Sequence, residues 1–207
     1  MPSDPAARLN QLLVDAGSDP LSPELGEKFT AYLAHLQKWN SRTNLTAIRD
    51  QDGILSRHFL ESILCARHLP VNVSSVLDFG SGAGLPGIPI ALIRNDLSVT
   101  LAESQNKKAA FLREAVRTLS LTAHVHSARA ETLTTPFDCI TLRAVDDPAR
   151  ALLAAISLLA PHGWVALLST NKEIATLRQK AASSITWSEP IPLPRGTERI
   201  LSLGQLR

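Results

Sequence analysis

Val76-Leu77-Asp78-Phe79-Gly80-Ser81-Gly82-Ala83-Gly84-Leu85-Pro86-Gly87 is a short apolar run that passes through an acid into glycines. It reads as a strand, a glycine turn and a helix starting near residue 84. Glycine in such a turn accepts positive φ and leaves bare backbone for a ligand to lie against. The glycines run G-x-G-x-G, with Asp78 two residues ahead of them, where a dinucleotide fingerprint would run G-x-G-x-x-G. A pyrophosphate disfavours a carboxylate there, whereas the sulfonium and amino group of S-adenosylmethionine tolerate one. The next apolar run, Leu97 to Ala102, delivers Glu103 to a strand end, where a carboxylate can accept from both ribose hydroxyls. Acids on successive strand ends point to S-adenosylmethionine as the cofactor; the bland alternative is a tight connection without a ligand.

Outward from this stretch, the first 70 residues look helical. Ser22-Pro23-Glu24 supplies a cap, a first-turn proline and a first-turn acid, and Leu25, Phe29, Tyr32, Leu33 and Leu36 then share one face. Trp39 to Thr46 has the composition of a loop, and a second helix over 52–69 turns Ile54, Leu55, Phe59, Ile63 and Leu64 inward and Arg57, His58 and Glu61 outward. From residue 75 strands and helices alternate: strands at 75–79, 97–102, 122–126, 137–142 and 163–168, helices at 84–94, 105–119, 148–159 and 171–182, and final strands near 185–190 and 198–204. The expected fold is α/β, a doubly wound, mostly parallel, seven-stranded Rossmann-like sheet of the methyltransferase kind, with ligands at the carboxyl ends of the strands. Residues 1–72 are expected to form a helical extension and 73–207 the cofactor domain.

The 207 residues, 44% hydrophobic and 19% charged, suit one such domain with a small addition. No apolar run is long enough to cross a bilayer and no signal sequence opens the chain, so a cytoplasmic protein without a membrane partner is expected. Cys65 and Cys139 are expected to be buried thiols, no metal is expected, and the chain is expected to be a monomer. A net charge of +2 permits an RNA partner without requiring one.

Three further groups fall beside the expected cofactor. Ala130 and Glu131, after the third strand, could meet the adenine, or simply cap a helix. Arg143, after the fourth strand, could face the substrate, or be an ordinary solvated strand end. Lys107, Lys108, Arg113 and Arg117 could gather on one helical face, for phosphate or only for water. The fourth strand leads into Leu142-Arg143-Ala144-Val145-Asp146, not the Asn/Asp-Pro-Pro-aromatic turn that holds an exocyclic amine, and Cys139 lies inside the strand, unlike the loop nucleophile of pyrimidine carbon-5 methylation. A ring nitrogen with a free lone pair, such as guanine N7, would need alignment but no base.

Asn44-Leu45-Thr46, Arg57-His58 with Ser62, Gly80-Ser81-Gly82 with Gly84-Leu85-Pro86-Gly87-Ile88-Pro89, Glu103-Ser104 with Lys107, Phe111-Leu112 and Arg143-Ala144 together resemble the glucose-inhibited division protein B family, over about residues 39–168. That family methylates guanine N7 in 16S ribosomal RNA. The resemblance implies S-adenosylmethionine as cofactor and 16S RNA or the small ribosomal subunit as partner. It places Gly80, Leu85, Glu103, Ala130, Glu131 and Arg143 at the cofactor, with Gly82 and Gly84 in the same cradle. It sets Asn44, His58 and Ser62 toward the catalytic cleft, with Arg143, His58 and Asn44 as catalytic candidates. Arg42, Arg57, Lys107, Lys108 and Arg113 are candidate phosphate contacts. The chain departs from the family in having Leu142 where serine is usual, and Ser169-Thr170-Asn171-Lys172 where Lys-Gly is usual. The alternatives are a small-molecule methyltransferase and an inactive RNA-binding assembly protein.

Overall fold

The computed structural model describes residues 4–194 and 198–207. Strands β1 (Ser75–Phe79), β2 (Ser98–Ala102), β3 (His124–His126), β4 (Phe137–Arg143) and β5 (Leu159–Thr170) pair in parallel. β8 (Arg199–Leu206) runs antiparallel to β5 and carries β6 (Ile185–Trp187) on its other edge, giving the order β3-β2-β1-β4-β5-β8-β6. These are the seven strands expected; a two-residue eighth, β7 (Ile191–Pro192), also pairs with β8.

Side chains alternate across the sheet, so each face feeds its own core. Val76, Val99, Leu101, Cys139 and Ala166 enter a cluster with the amino-terminal helices and with α5 (Gly87–Ile93) and α6 (Asn106–Thr118). Leu77, Phe79, Ile140, Leu142 and Val165 enter the opposite cluster with α7 (Pro148–Ser157) and α8 (Asn171–Lys180). The amino-terminal helices are α1 (Pro5–Asp15), α2 (Pro23–Asn40), and a continuous helix over 51–68 made of α3 (Gln51–Gly53), a π-helical segment (Ile54–Phe59) and α4 (Leu60–His68). In α2 the Ser22 hydroxyl accepts from the Leu25 N–H, and Phe29, Tyr32, Leu33 and Leu36 are buried. Each such burial is worth about 2 kcal/mol. Because these helices share a core with α5 and α6, they form part of one layer over the sheet.

Several boundaries differ from expectation. Trp39 and Asn40 finish α2 instead of opening a loop. The helix after the glycines starts at Gly87, three residues late, because Gly80, Gly82 and Gly84 all take positive φ and hold the turn open. β5 begins at Leu159, inside the stretch expected as helix 148–159: Phe137 pairs with Leu159 and Cys139 with Trp164, and the irregularity between them absorbs Pro161-His162-Gly163.

Candidate active site

The strand order reverses between β1 and β4, and at the carboxyl ends of these strands a cleft of about 690 Å³ opens. That is the switch point at which doubly wound sheets bind ligands, and the volume suits a nucleoside-sized molecule. Its floor is the glycine turn. Gly82 has φ +53 and no atom nearer than 3.8 Å to an added Cβ, so its bare face is open to the cleft. Gly84 is different: it does not line the cleft, and a Cβ there would meet Ile88 Cδ1 at 2.4 Å and the Tyr32 hydroxyl at 3.1 Å. Its lack of a side chain lets α2 approach, where Tyr32 donates to the Ala83 carbonyl at 2.6 Å.

Asp78 also faces inward. Expected beside the ligand, it is buried beneath the turn, where it accepts from the Thr141 hydroxyl at 2.8 Å and from the Gly87 N–H at 3.1 Å. Burial raises its pKa, opposed by those hydrogen bonds. It latches the turn to β4. Glu103 does line the cleft: one carboxylate oxygen accepts from the Gly82 N–H at 3.0 Å and the other from the Gln105 N–H at 2.7 Å. Four lone pairs and two N–H donors leave it capacity for ligand hydroxyls. Leu85, Gly80, Ala130 and Glu131 line the same cleft. Bare glycine backbone, an acceptor at the β2 end and an apolar wall at Ala130 are the donor set and shape that S-adenosylmethionine needs.

The opposite wall centres on Arg143. Its side chain is only 7% exposed, and burial pulls its pKa down while Glu61 pushes it back up. The two N–H groups of Nη2 are shared among the Arg57 carbonyl at 2.7 Å, His58 Nδ1 at 3.0 Å and Glu61 Oε2 at 3.0 Å; Nη1 donates to the Ser62 hydroxyl at 3.1 Å. Arg57 and His58 both lie in the π-helical segment, the kind of local widening that recurs at functional sites. Glu61, expected on the outer face with Arg57 and His58, is 0% exposed. It accepts from Arg199 Nε at 2.7 Å and Nη2 at 2.8 Å as well as from Arg143. A carboxylate between two guanidiniums satisfies the condition under which buried charge is tolerated.

His58 lines the cleft with Nε2 at 2.6 Å from the Thr46 hydroxyl. Burial, reinforced by the charges of Arg143, Arg57 and Arg199, lowers its pKa to about 3, so the imidazole is neutral at physiological pH. Thr46 is held by Asn40, whose side-chain oxygen accepts from the Leu45 and Thr46 N–H groups at 2.8 and 3.0 Å, and whose Nδ2 donates to the Thr46 carbonyl at 3.0 Å. Asn44 is exposed and outside the lining, accepting from Arg49 Nη2 at 2.9 Å.

Of the five candidate phosphate contacts, Lys108 lines the cleft; Arg42, Arg57, Lys107 and Arg113 are exposed outside it, and Arg113 donates to Ser127. Arg129 and Arg150, absent from that group, also line the cleft. Asn40, Glu61 and Arg199 were not legible as site residues: Asn40 reads as part of a loop, and Arg199 lies 138 residues from its partner. Cys65 and Cys139 are buried thiols whose pKa burial raises, Cys139 to about 12. No described helix is long and apolar enough to cross a membrane.

Comparison with known proteins agrees with this geometry. The fold is shared with a SAM dependent methyltransferase from Aquifex aeolicus (TM-score 0.61, 16% identity, 84% of this chain and 98% of that one) and with a ribosomal protein L11 methylase from Lactobacillus delbrueckii subsp. bulgaricus (TM-score 0.60, 15% identity, 70% and 76%). In sequence, the chain is 39% identical to the ribosomal RNA small subunit methyltransferase G of Roseiflexus sp. (84% of this chain, 80% of the relative), and 42% identical to the protein of that name in Stenotrophomonas maltophilia strain K279a (86% and 84%). Residues 25–195 match the GidB family model, described as rRNA small subunit methyltransferase G, and the chain belongs to that family.

Proposed function

We propose that the chain uses S-adenosylmethionine to methylate N7 of a guanosine in 16S ribosomal RNA. The observation that carries this reading is the state of His58: neutral, with Nδ1 accepting from Arg143 and Nε2 engaged by Thr46, it has no free nitrogen with which to take a proton. A cleft so arranged suits an acceptor that need not be deprotonated. When bound, the cofactor would supply an electrophilic methyl group, which a ring-nitrogen lone pair takes without releasing a proton.

Gly80, Gly82 and Leu85 would hold the methionine end against bare backbone, Glu103 the ribose hydroxyls, and Ala130 with Glu131 the adenine. Arg143, fixed by Glu61, Ser62 and two residues of the π-helical segment, sets the orientation of His58 and with it the substrate wall. Lys108, Arg129 and Arg150 at the cleft, with Arg42, Arg57, Lys107 and Arg113 farther out, would meet RNA phosphates.

The test is transfer of labelled methyl from S-adenosylmethionine to small ribosomal subunits and 16S RNA from cells lacking this protein, with the product nucleoside identified by mass spectrometry. 7-Methylguanosine at one site is expected. Label in no RNA despite measured cofactor binding would overturn the reading in favour of a small-molecule acceptor.

A further inference from the structure

The hydrogen bonds from Arg143 outward run in one direction. Arg143 Nη2 is a permanent donor 3.0 Å from His58 Nδ1, so Nδ1 must be the acceptor and the single proton of the neutral ring sits on Nε2. Nε2–H therefore donates to the Thr46 hydroxyl oxygen at 2.6 Å, and the Ile48 N–H donates to the same oxygen at 3.1 Å. A hydroxyl oxygen has two lone pairs, and both are taken. Its proton finds no acceptor among the described residues, and Thr46 lines the cleft. A hydroxyl that accepts twice, once from an imidazole polarised by a guanidinium, is a strengthened donor whose direction is fixed.

We propose that the Thr46 hydroxyl donates to O6 of the guanine being methylated, and so selects guanine over adenine. This rests on the guanine-N7 reading of the cleft. N7 must keep its lone pair for the methyl group, so a donor beside that edge of the base pairs with the neighbouring carbonyl. Guanine offers N7 and O6 as adjacent acceptors, whereas adenine offers N7 beside an N6 amino donor, which would face the Thr46 donor head-on. Thr46 acts as a specificity residue, and Arg143, through His58, as its positioning residue.

The test uses small subunits reconstituted with 16S RNA carrying either guanine or 2-aminopurine at the methylated position; 2-aminopurine retains N7 and lacks O6. Methyl-transfer kcat/KM is measured on both substrates for the wild type, Thr46→Val and Thr46→Ser, with cofactor affinity measured separately. The wild type is expected to prefer guanine by roughly ten- to hundredfold, and Thr46→Val to collapse that preference to about threefold or less. Thr46→Ser, which retains the hydroxyl, is expected to keep the preference. If Thr46→Val slows both substrates equally, or keeps the wild-type preference, the proposal is wrong and Thr46 only braces the wall. A wild-type protein that leaves the guanine subunits unmethylated would overturn the guanine-N7 reading itself, and this proposal with it.

Discussion

Replacing Glu61 by glutamine keeps the shape of the side chain and removes the one negative charge shared by Arg143 and Arg199. At about 3 Å and an effective dielectric constant near 20, each carboxylate–guanidinium contact is worth roughly 5 kcal/mol before desolvation is subtracted. Desolvation and the mutual repulsion of the guanidiniums offset much of this, and removing one partner of a buried pair costs about 3–5 kcal/mol net. Glu61 is fully buried and bonded to both arginines, which places the change within that range. For a chain of this length the loss corresponds to a fall in Tm of about 6–20 °C. Thermal unfolding followed by circular dichroism reads the effect directly. Arg199→Met should cost less, because the Arg199 side chain is 18% exposed and its loss leaves Glu61 paired with Arg143. A Glu61→Gln protein within 1 °C of wild type, or a larger loss in Arg199→Met, would refute the claim that Glu61 is the keystone of this wall.

Other substitutions separate binding from folding. Gly82→Ala should cost about 1–2 kcal/mol for its left-handed backbone but weaken S-adenosylmethionine by roughly tenfold or more, read by calorimetry, because the methyl group projects into open cleft. Gly87→Ala should instead fail to fold stably, since its Cβ would stand 2.3 Å from Leu101 and 2.6 Å from the Asp78 carboxylate. His58 has a folded pKa of about 3, below its unfolded value, so the unfolded chain takes up a proton that the folded one refuses and stability falls as pH drops below about 6.5. Between about pH 7 and pH 5 the loss is roughly 2 kcal/mol, and denaturant titrations of His58→Gln should show it gone. The Lys108→Ala/Arg113→Ala pair should reduce the log–log salt slope of RNA affinity by roughly 1.4–1.8; an unchanged affinity and slope would remove both residues from the interface.

The half of the site that lies within one strand–turn–helix unit was legible, because glycine spacing and a strand-end carboxylate report local backbone geometry. Glu103 needed no distant partner to be noticed. Asp78 shows the limit of such reasoning: an acid at a strand end can face the ligand or the interior, and the choice depends on Thr141, 63 residues away. Glu61 was misplaced for a related reason. Helical periodicity assigns an inner and an outer face, and it placed Ile63 and Leu64 correctly, but Leu60 through Ala66 are all buried, and the partners that hold Glu61 inside, Arg143 and Arg199, lie 82 and 138 residues away. The irregular start of β5 escaped periodicity as well, because Pro161-His162-Gly163 marks a turn in sequence yet lies within a strand.

The wide turn at Ile54–Phe59 also makes the length of this chain carry information that no single side chain carries. A π-helical turn holds one residue more than an ordinary turn, so deleting one residue there would let the segment relax into regular α-helix. Because about five α-helical residues turn the chain as far as the six of this segment, the helix on either side would keep its orientation while the turn itself narrowed. The Arg57 carbonyl and the His58 ring, which meet Arg143 from within that turn, would be the groups displaced. A one-residue deletion in Ile54–Phe59 should therefore leave the fold standing and still lower methyl transfer.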